Sequence, residues 1–245
     1  MRVELFNCPI DALTMEQTVS KIKTAIDTQK HLHHVVVNVA KLVHLQNDTQ
    51  LRNSVVNCDI INADGQGVVW ASKILGKSIP ERVAGIDLMQ NLVTLAHQNQ
   101  YTIFFFGAKE EIVKRIVDKF SKKYSPKIIA GYRNGYFNKD EELNIAQQIA
   151  DTNANILFVA MGSPKKENFL FENREILKNI NFIMGVGGSF DVVAGKVKRA
   201  PIWVQKIGME WFYRMAQEPN RLFMRYFTTN LALVKLIIVE KFKKS

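Results

Sequence analysis

Two hydrophobic periods alternate along this chain. Short apolar runs of strand length, bounded by polar or glycine residues, are separated by longer stretches with apolar positions three and four apart. His33-His34-Val35-Val36-Val37-Asn38, Ile60-Ile61-Asn62-Ala63, Tyr101 to Gly107, Lys127 to Ala130, Asn155 to Gly162 and Phe182 to Val186 are the expected strands. Between them the spacing predicts helices over 42–53, from Val68 onward, over 110–124, over 140–153 and after Pro164, which suits a first helical turn. Residues 1–30 read as one strand followed by an amphipathic helix capped by Thr14, with Met15, Val19, Ile22 and Ile26 on one face. Buried strands alternating with helices predict an α/β fold, a Rossmann-like doubly wound and mostly parallel sheet.

The strand ends carry the candidate chemistry. Ile60 to Gly67 runs from an apolar strand into Asp64-Gly65-Gln66-Gly67, and Asn38, Gly107, Gly162 and Gly185-Val186-Gly187-Gly188 close other strands. In open α/β sheets ligands bind outside the carboxyl ends of the strands, where glycines allow close backbone approach. A carboxylate there can serve as a general base. Taken alone, the stretch reads more readily as a turn, with Asp64 a turn former or a cap on the following helix. Pro80-Glu81-Arg82-Val83-Ala84-Gly85-Ile86-Asp87 adds an arginine and a second acid beside another glycine.

Charge separates two regions. Of the net +10, +8 lies from Lys196 onward, where eleven Lys or Arg face three Glu, so residues 1–195 form a nearly neutral α/β domain and 196–245 a basic, aromatic helical appendage. The excess calls for an anionic partner. Trp203, Trp211, Phe212 and Tyr213 are amphipathic rings of the kind found at membrane interfaces, and Arg214, Arg221 and Arg225 have near-helical spacing. A helical pair that packs its rings on the sheet and leaves its charge in water accounts for the same pattern. The final helix is expected over Asn230 to Lys244.

Other features narrow the classes. Two cysteines, Cys8 and Cys58, make neither a disulfide framework nor a zinc site and fit a reducing cytoplasm. The first residues lack a signal-peptide layout, and no uninterrupted apolar run reaches about 20 residues, so a spanning helix is not expected. Gly65-x-Gly67 and Gly185-x-Gly187-Gly188 lack the third glycine of a dinucleotide fingerprint, which disfavours NAD and FAD. The phosphate-loop, zinc-helix and nucleophile-elbow motifs are absent. His31, His33 and His34 read as a solvated turn rather than a metal site, and without an Asp-x-Asp pair metal independence is expected.

Taken in order, these segments resemble the bacterial WecG/TagA/CpsF family of glycosyltransferases. The likeness rests on Asn38, Ala63-Asp64-Gly65-x-Gly67-Val68, Pro80-Glu81-Arg82-Val83-x-Gly85-x-Asp87, Gly131-x3-Gly135-Tyr136-Phe137 and Gly162-x-Pro164-Lys165-x-Glu167. It continues through Gly185 to Asp191, Arg199-Ala200-Pro201, Glu210-Trp211-x2-Arg214 and Glu218-Pro219-x-Arg221.

The resemblance implies an inverting transferase that moves N-acetylmannosamine, its uronic acid or a related hexose. The donor would be a UDP-sugar and the acceptor a sugar on undecaprenyl diphosphate. Asp64 would be the base, with Asn38 and Arg82 orienting sugar hydroxyls or the leaving phosphate. Gly65, Gly67, Gly107, Tyr136, Gly162, Lys165, Glu167, Gly187, Gly188 and Asp191 would border the UDP-sugar. Arg214, Arg221 and Arg225 would hold the lipid diphosphate, with the appendage peripheral on the anionic inner face of the cytoplasmic membrane.

No cofactor is expected. Oligomeric state stays open, since apolar tail helices away from a membrane would drive self-association. Val36, where many members have Thr, and Lys166, where Gln is usual, remove a hydroxyl and add a cation near the donor pocket, which bears on sugar identity. The alternatives are a basic nucleic-acid-binding or nucleotide-sensing module, although no nucleic-acid motif is present, and a nicotinamide-dependent sugar oxidoreductase.

Overall fold

The computed structural model describes residues 1–242. The chain opens with a β-hairpin, β1 (Arg2–Leu5) and β2 (Cys8–Asp11), in place of the single expected strand. Its turn residues Phe6 and Asn7 both have positive φ, 52° and 58°, the geometry of a tight two-residue hairpin loop. Helix α1 (Met15–Asp27) follows, with Thr14 and Gln17 forming a reciprocal capping box.

The central sheet contains β3 (Leu32–Val37), β4 (Ile60–Ala63), β5 (Ile103–Gly107), β6 (Ile129–Arg133), β7 (Ile156–Ala160) and β8 (Phe182–Gly185). All six are parallel, in the spatial order β4-β3-β8-β7-β5-β6, so every carboxyl end opens on one edge of the sheet. The first and last strands of the sheet in chain order, β3 and β8, are neighbours inside it.

Helices α2 (Val39–His44) and α3 (Thr49–Val56) stand where one helix over 42–53 was expected. The break has a local cause. Asp48 leaves the helix and accepts a hydrogen bond from the Leu51 amide at 2.9 Å, restarting the chain as α3. Then come α4 (Gln66–Ile74), α5 (Gly85–Asn99), α6 (Glu110–Lys123), α7 (Glu142–Asp151), α8 (Lys165–Glu172) and α9 (Ser189–Val193).

Both faces of the sheet are covered. Phe105 packs with Leu88, Leu92, Ile116 and Phe190 on one face, while its neighbours Phe104 and Phe106 turn to Ile145, Leu157 and Phe169 on the other. The solvated histidine turn does not exist: His34 is a buried β3 residue whose Nε2 lies 2.9 Å from Asn62 Oδ1, and burial pushes its imidazole down to about 3, where it stays neutral at ordinary pH.

The tail forms α10 (Ile202–Lys206), α11 (Glu210–Gln217) and α12 (Pro219–Phe242). Helix α12 starts eleven residues before the expected Asn230, with Pro219 in its first turn, so Arg221 and Arg225 belong to it; Lys244, the expected end, lies outside the described residues. It packs against α2, and Leu233 joins the core formed by the hairpin, β3 and β4. Glu240 near its far end accepts from the Phe6 amide and pairs with Lys77.

By length and composition α12 could cross a membrane, with a mean hydropathy of 1.5 over an 18-residue window of which 17% is buried. The expectation based on uninterrupted runs missed it because Asn230 and Lys235 punctuate the helix. Only Leu222, Thr229 and Leu233 of α12 are buried, and at about 1.5–3 kcal/mol per apolar side chain the tail is the weakly held layer of the fold.

Candidate active site

Asp64 sits one residue beyond β4, its amide donating to the Val37 carbonyl at 2.8 Å, which ties the ends of β3 and β4 together. Gly65 lies against Asn38: a Cβ added there would stand 3.5 Å from the Cα and Cβ of Asn38. Asn38 caps α2, its Oδ1 accepting from the Lys41 amide at 3.0 Å. Three strand-end features are thus packed side by side.

Burial pushes the Asp64 carboxyl up to about 6; Glu210 adds to the rise, while Arg82, the Gly85 amide and Lys41 pull against it. Gly85 opens α5, and a Cβ there would meet Asp64 Oδ2 at 3.5 Å and Val36 Cγ2 at 3.6 Å. Val36 therefore lines the wall beside the carboxylate.

Arg82 is turned toward the tail. Its Nη2 lies 3.0 Å from Glu210 Oε2 on α11, and Arg199 Nε reaches the other oxygen of Glu210 at 3.2 Å. Arg199 also forms a fork on Asp87, donating from Nη1 and Nη2 to the two carboxylate oxygens at 2.5 and 2.7 Å. Asp87, Arg199 and Glu210 belong to the motifs that carried the family likeness, yet the sequence reading gave none of them a role. Segments 112 residues apart meet here, a separation that no local pattern reveals.

The glycine cluster after β8 lies under Arg214: a Cβ added at Gly188 would stand 2.7 Å from Arg214 Nη2. Arg214 Nε is buried and has no partner among the described residues. Asp191 pairs with Lys196 at 3.2 Å, and Arg221 with Glu218 at 2.6 Å. Tyr226, to which the sequence reading gave no role, packs against Trp211 with ring centres 5.6 Å apart and planes tilted by 59°. Burial raises its phenol, with Arg214, Arg225 and Arg221 opposing and Asp64 reinforcing.

A second charged cluster is closed. Glu167 is 3% exposed, and the ammonium groups of Lys41 and Lys166 both lie 2.7 Å from its Oε1. Lys41 also donates to the Val36 carbonyl at 2.8 Å. The aliphatic stem of Lys166 passes 3.0 Å from where a Gly185 Cβ would be. The cation expected near the donor pocket is therefore buried and engaged by Glu167, although the charge of Arg225 reaches it.

The remaining candidates divide. Gly67 and Gly107 have steric duties: a Cβ would come within 2.8 Å of Val39 Cγ2 at the first and 2.4 Å of the Ala160 carbonyl oxygen at the second, where φ is +117°. Gly162 is exposed, with open space around it. Lys165 places its ammonium 3.8 Å above the Phe137 ring, and Tyr136 is exposed; hydrogen bonds and ion pairs among the described residues link neither to Asp64.

The arrangement sets a raised carboxylate beside two strand-end cradles and beneath an arginine-bearing helix pair, which suits base catalysis on an anionic substrate. The chain belongs to the Glycosyl transferase WecG/TagA/CpsF family, which it matches over residues 3–245.

It is similar to two curated N-acetylglucosaminyldiphosphoundecaprenol N-acetyl-beta-D-mannosaminyltransferases from Bacillus. Identity is 40% over 163 residues with that of Bacillus subtilis (strain 168), covering 66% of this chain and 62% of the relative. With that of Bacillus spizizenii (strain ATCC 23059 / NRRL B-14472 / W23) it is 36% over 165 residues, covering 67% and 63%. The matched part is thus less than two thirds of these two relatives' length. A protein of the same description from Staphylococcus aureus (strain MW2) is 31% identical over 223 residues, 90% of this chain and 87% of the relative.

Proposed function

We propose that this protein transfers N-acetylmannosamine from UDP to N-acetylglucosamine carried on undecaprenyl diphosphate, with inversion at the anomeric carbon. The carrying observation is Asp64, a carboxyl raised to about 6 at the end of β4. The acceptor hydroxyl oxygen attacks the anomeric carbon as its proton passes to Asp64. The bond from that carbon to the UDP oxygen breaks, and UDP departs with the electron pair. From an α-linked donor a single displacement gives a β product, the stereochemistry that the relatives' names carry. A base near 6 is ionised at neutral pH yet more basic than an ordinary carboxylate, and such groups contribute roughly 10²- to 10⁴-fold.

Arg214 over Gly188 is placed to grip a diphosphate bidentately, with Arg221 and Arg225 extending the positive face. Phe223, Phe227, Leu231, Val234 and Ile238 form an exposed apolar stripe along α12. Because Leu233 and Glu240 tie the same helix to the body, it lies along an anionic bilayer surface, on the cytoplasmic side where UDP-sugars are made, rather than through it. No cofactor takes part in this reading.

The test incubates the protein with UDP-N-acetylmannosamine and a short-chain N-acetylglucosaminyl diphospholipid, following UDP release and the anomeric configuration of the product, with and without EDTA. Transfer giving the β-linked disaccharide supports the proposal. Its absence with every UDP-hexose tried, or α-linked product, would overturn it.

A further inference from the structure

Among the described residues Asp64 has no ion-pair partner of its own, although the charge of Arg82 reaches it. Among the described residues Arg82 pairs with Glu210, Glu210 with Arg199, and Arg199 with Asp87, at 3.0, 3.2 and 2.5 Å in turn. The chain of pairs begins and ends on the body and passes through the tail: Arg82 and Asp87 flank the start of α5, while Arg199 and Glu210 precede and open the tail helices. These side chains are only 16–37% exposed, so the pairs are sheltered from screening and their geometry is held on both sides.

We infer that Glu210 is a positioning residue which, fastened by the Arg199–Asp87 fork, holds Arg82 away from Asp64 and so keeps that carboxylate free to act. With α11 undocked, Arg82 loses the acid that holds it on the tail side and is free to close on Asp64, forming an ion pair with it. The tail thereby sets the state of the base without touching the reacting atoms. It is the weakly held layer of the fold, so this coupling links docking of the tail to competence of the site. The groups facing Asp64 are Arg82 from the loop before α5, the Gly85 amide, Lys41 from α2, Glu210 from α11 and, at longer range, Tyr226 from α12. Arg82 and Glu210 act on it in opposite directions, which makes their mutual distance the controlling variable.

The inference rests on the transferase reading for its kinetic consequence only. Its primary test needs no substrate: the carboxyl carbon of Asp64, assigned by comparison with Asp64→Asn, is titrated by ¹³C NMR in the full chain and in three variants. Arg199→Lys conserves every charge but loses the fork, so a fall of the Asp64 midpoint by about half a pH unit or more in that variant reports position rather than net charge. Glu210→Gln is expected to lower it further, by about one unit, and Glu210→Asp to restore part of the difference.

In the transferase assay the acidic limb of kcat shifts by the same amount, with a fall of roughly threefold to tenfold at its plateau and little change in KM for the donor. An unchanged Asp64 midpoint in folded Arg199→Lys and Glu210→Gln protein would overturn the inference. Should Glu210→Gln fail to fold, Arg199→Lys and Asp87→Asn decide it alone. Lack of transfer by the unmodified chain would refute the proposed function and leave the titration free to judge this coupling.

Discussion

Two acids, Asp64 and Glu167, lie at carboxyl ends of the same sheet, and their surroundings drive them in opposite directions. Burial works against the charge of both. At Glu167 the ammonium groups of Lys41 and Lys166 overcome it and hold the carboxyl at about 2. At Asp64 the nearest cation, Arg82, is engaged by Glu210, and the carboxyl stays at about 6. The first acid is spent on structure and the second is left basic. What separates them is the commitment of their cations, since Glu167 is the more deeply buried of the two and burial alone would raise it further.

The largest way to break this contrast is Glu167→Gln, which leaves two buried ammonium groups without a counter-ion. A loss of about 3–5 kcal/mol in urea unfolding is expected. The cluster also has a pH signature. Because the folded-state value is depressed, its stabilisation is present above the ordinary value of 4.5 and is lost as pH falls toward about 2. Lys166→Gln should cost far less, since Lys41 still pairs with Glu167. Equal losses in the two variants would show that Lys166, rather than Lys41, holds the acid.

Asp64→Asn inverts the outcome. It should lower transfer by roughly 10²- to 10⁴-fold. It should also stabilise the fold near pH 7.5 by about 1–3 kcal/mol, because the native state there holds an unfavourably buried charge. The sign follows from the raised value: the contribution to stability is fully present below the ordinary 3.8 and is lost as pH rises through about 6, so the variant's advantage should vanish near pH 4. Thermal unfolding at both pH values checks it. A variant destabilised at pH 7.5 would mean that Asp64, like Glu167, holds the fold together.

Gly188→Ala sharpens the same comparison on the tail side. The new methyl group meets the flexible end of Arg214 rather than backbone, so stability should change by less than about 1 kcal/mol. The guanidinium moves away, and KM for the lipid acceptor should rise roughly fivefold to tenfold. Unchanged acceptor kinetics would remove Arg214 from the diphosphate site.

Much of the sheet was legible because β5, β7 and β8 are buried at every position, so continuous apolar runs with terminal glycines mark them plainly. The hairpin was not, since Phe6 and Asn7 adopt positive φ without the glycine that usually signals it. Nor was the end of α2, where an ordinary-looking Asp48 stops one helix and starts the next. The strand-end group of Asn38, Asp64 and Gly188 could be read from position along the chain. The engagement of Arg82 by Glu210 could not, because the two lie 128 positions apart and an arginine's partner is settled only by the fold. Lys41 gave no sign of its role, as a lysine three residues after a helix cap is ordinarily solvated, and here it is 7% exposed.

The smallest expected effect separates two glycines that the sequence presented as equivalent members of the donor site. At Gly67 an alanine methyl would stand 2.8 Å from Val39 Cγ2, between α4 and α2, and the β-branched side chain has little freedom to retreat. Gly67→Ala should therefore cost about 1–3 kcal/mol of stability, with UDP affinity unchanged once the protein is folded. At Gly162 nothing lies within 4 Å and φ is outside the left-handed region, so Gly162→Ala should leave the unfolding midpoint within about 0.5 kcal/mol of the parent. If the nucleotide approaches this loop closely, the methyl group occupies the space it needs, and calorimetric titration will show UDP binding weakened severalfold in an otherwise unperturbed protein. Equal UDP affinity in Gly162→Ala and the parent would move the donor away from β7 and toward the β3–β4 pair, where Asn38 lies against the Asp64-Gly65 turn.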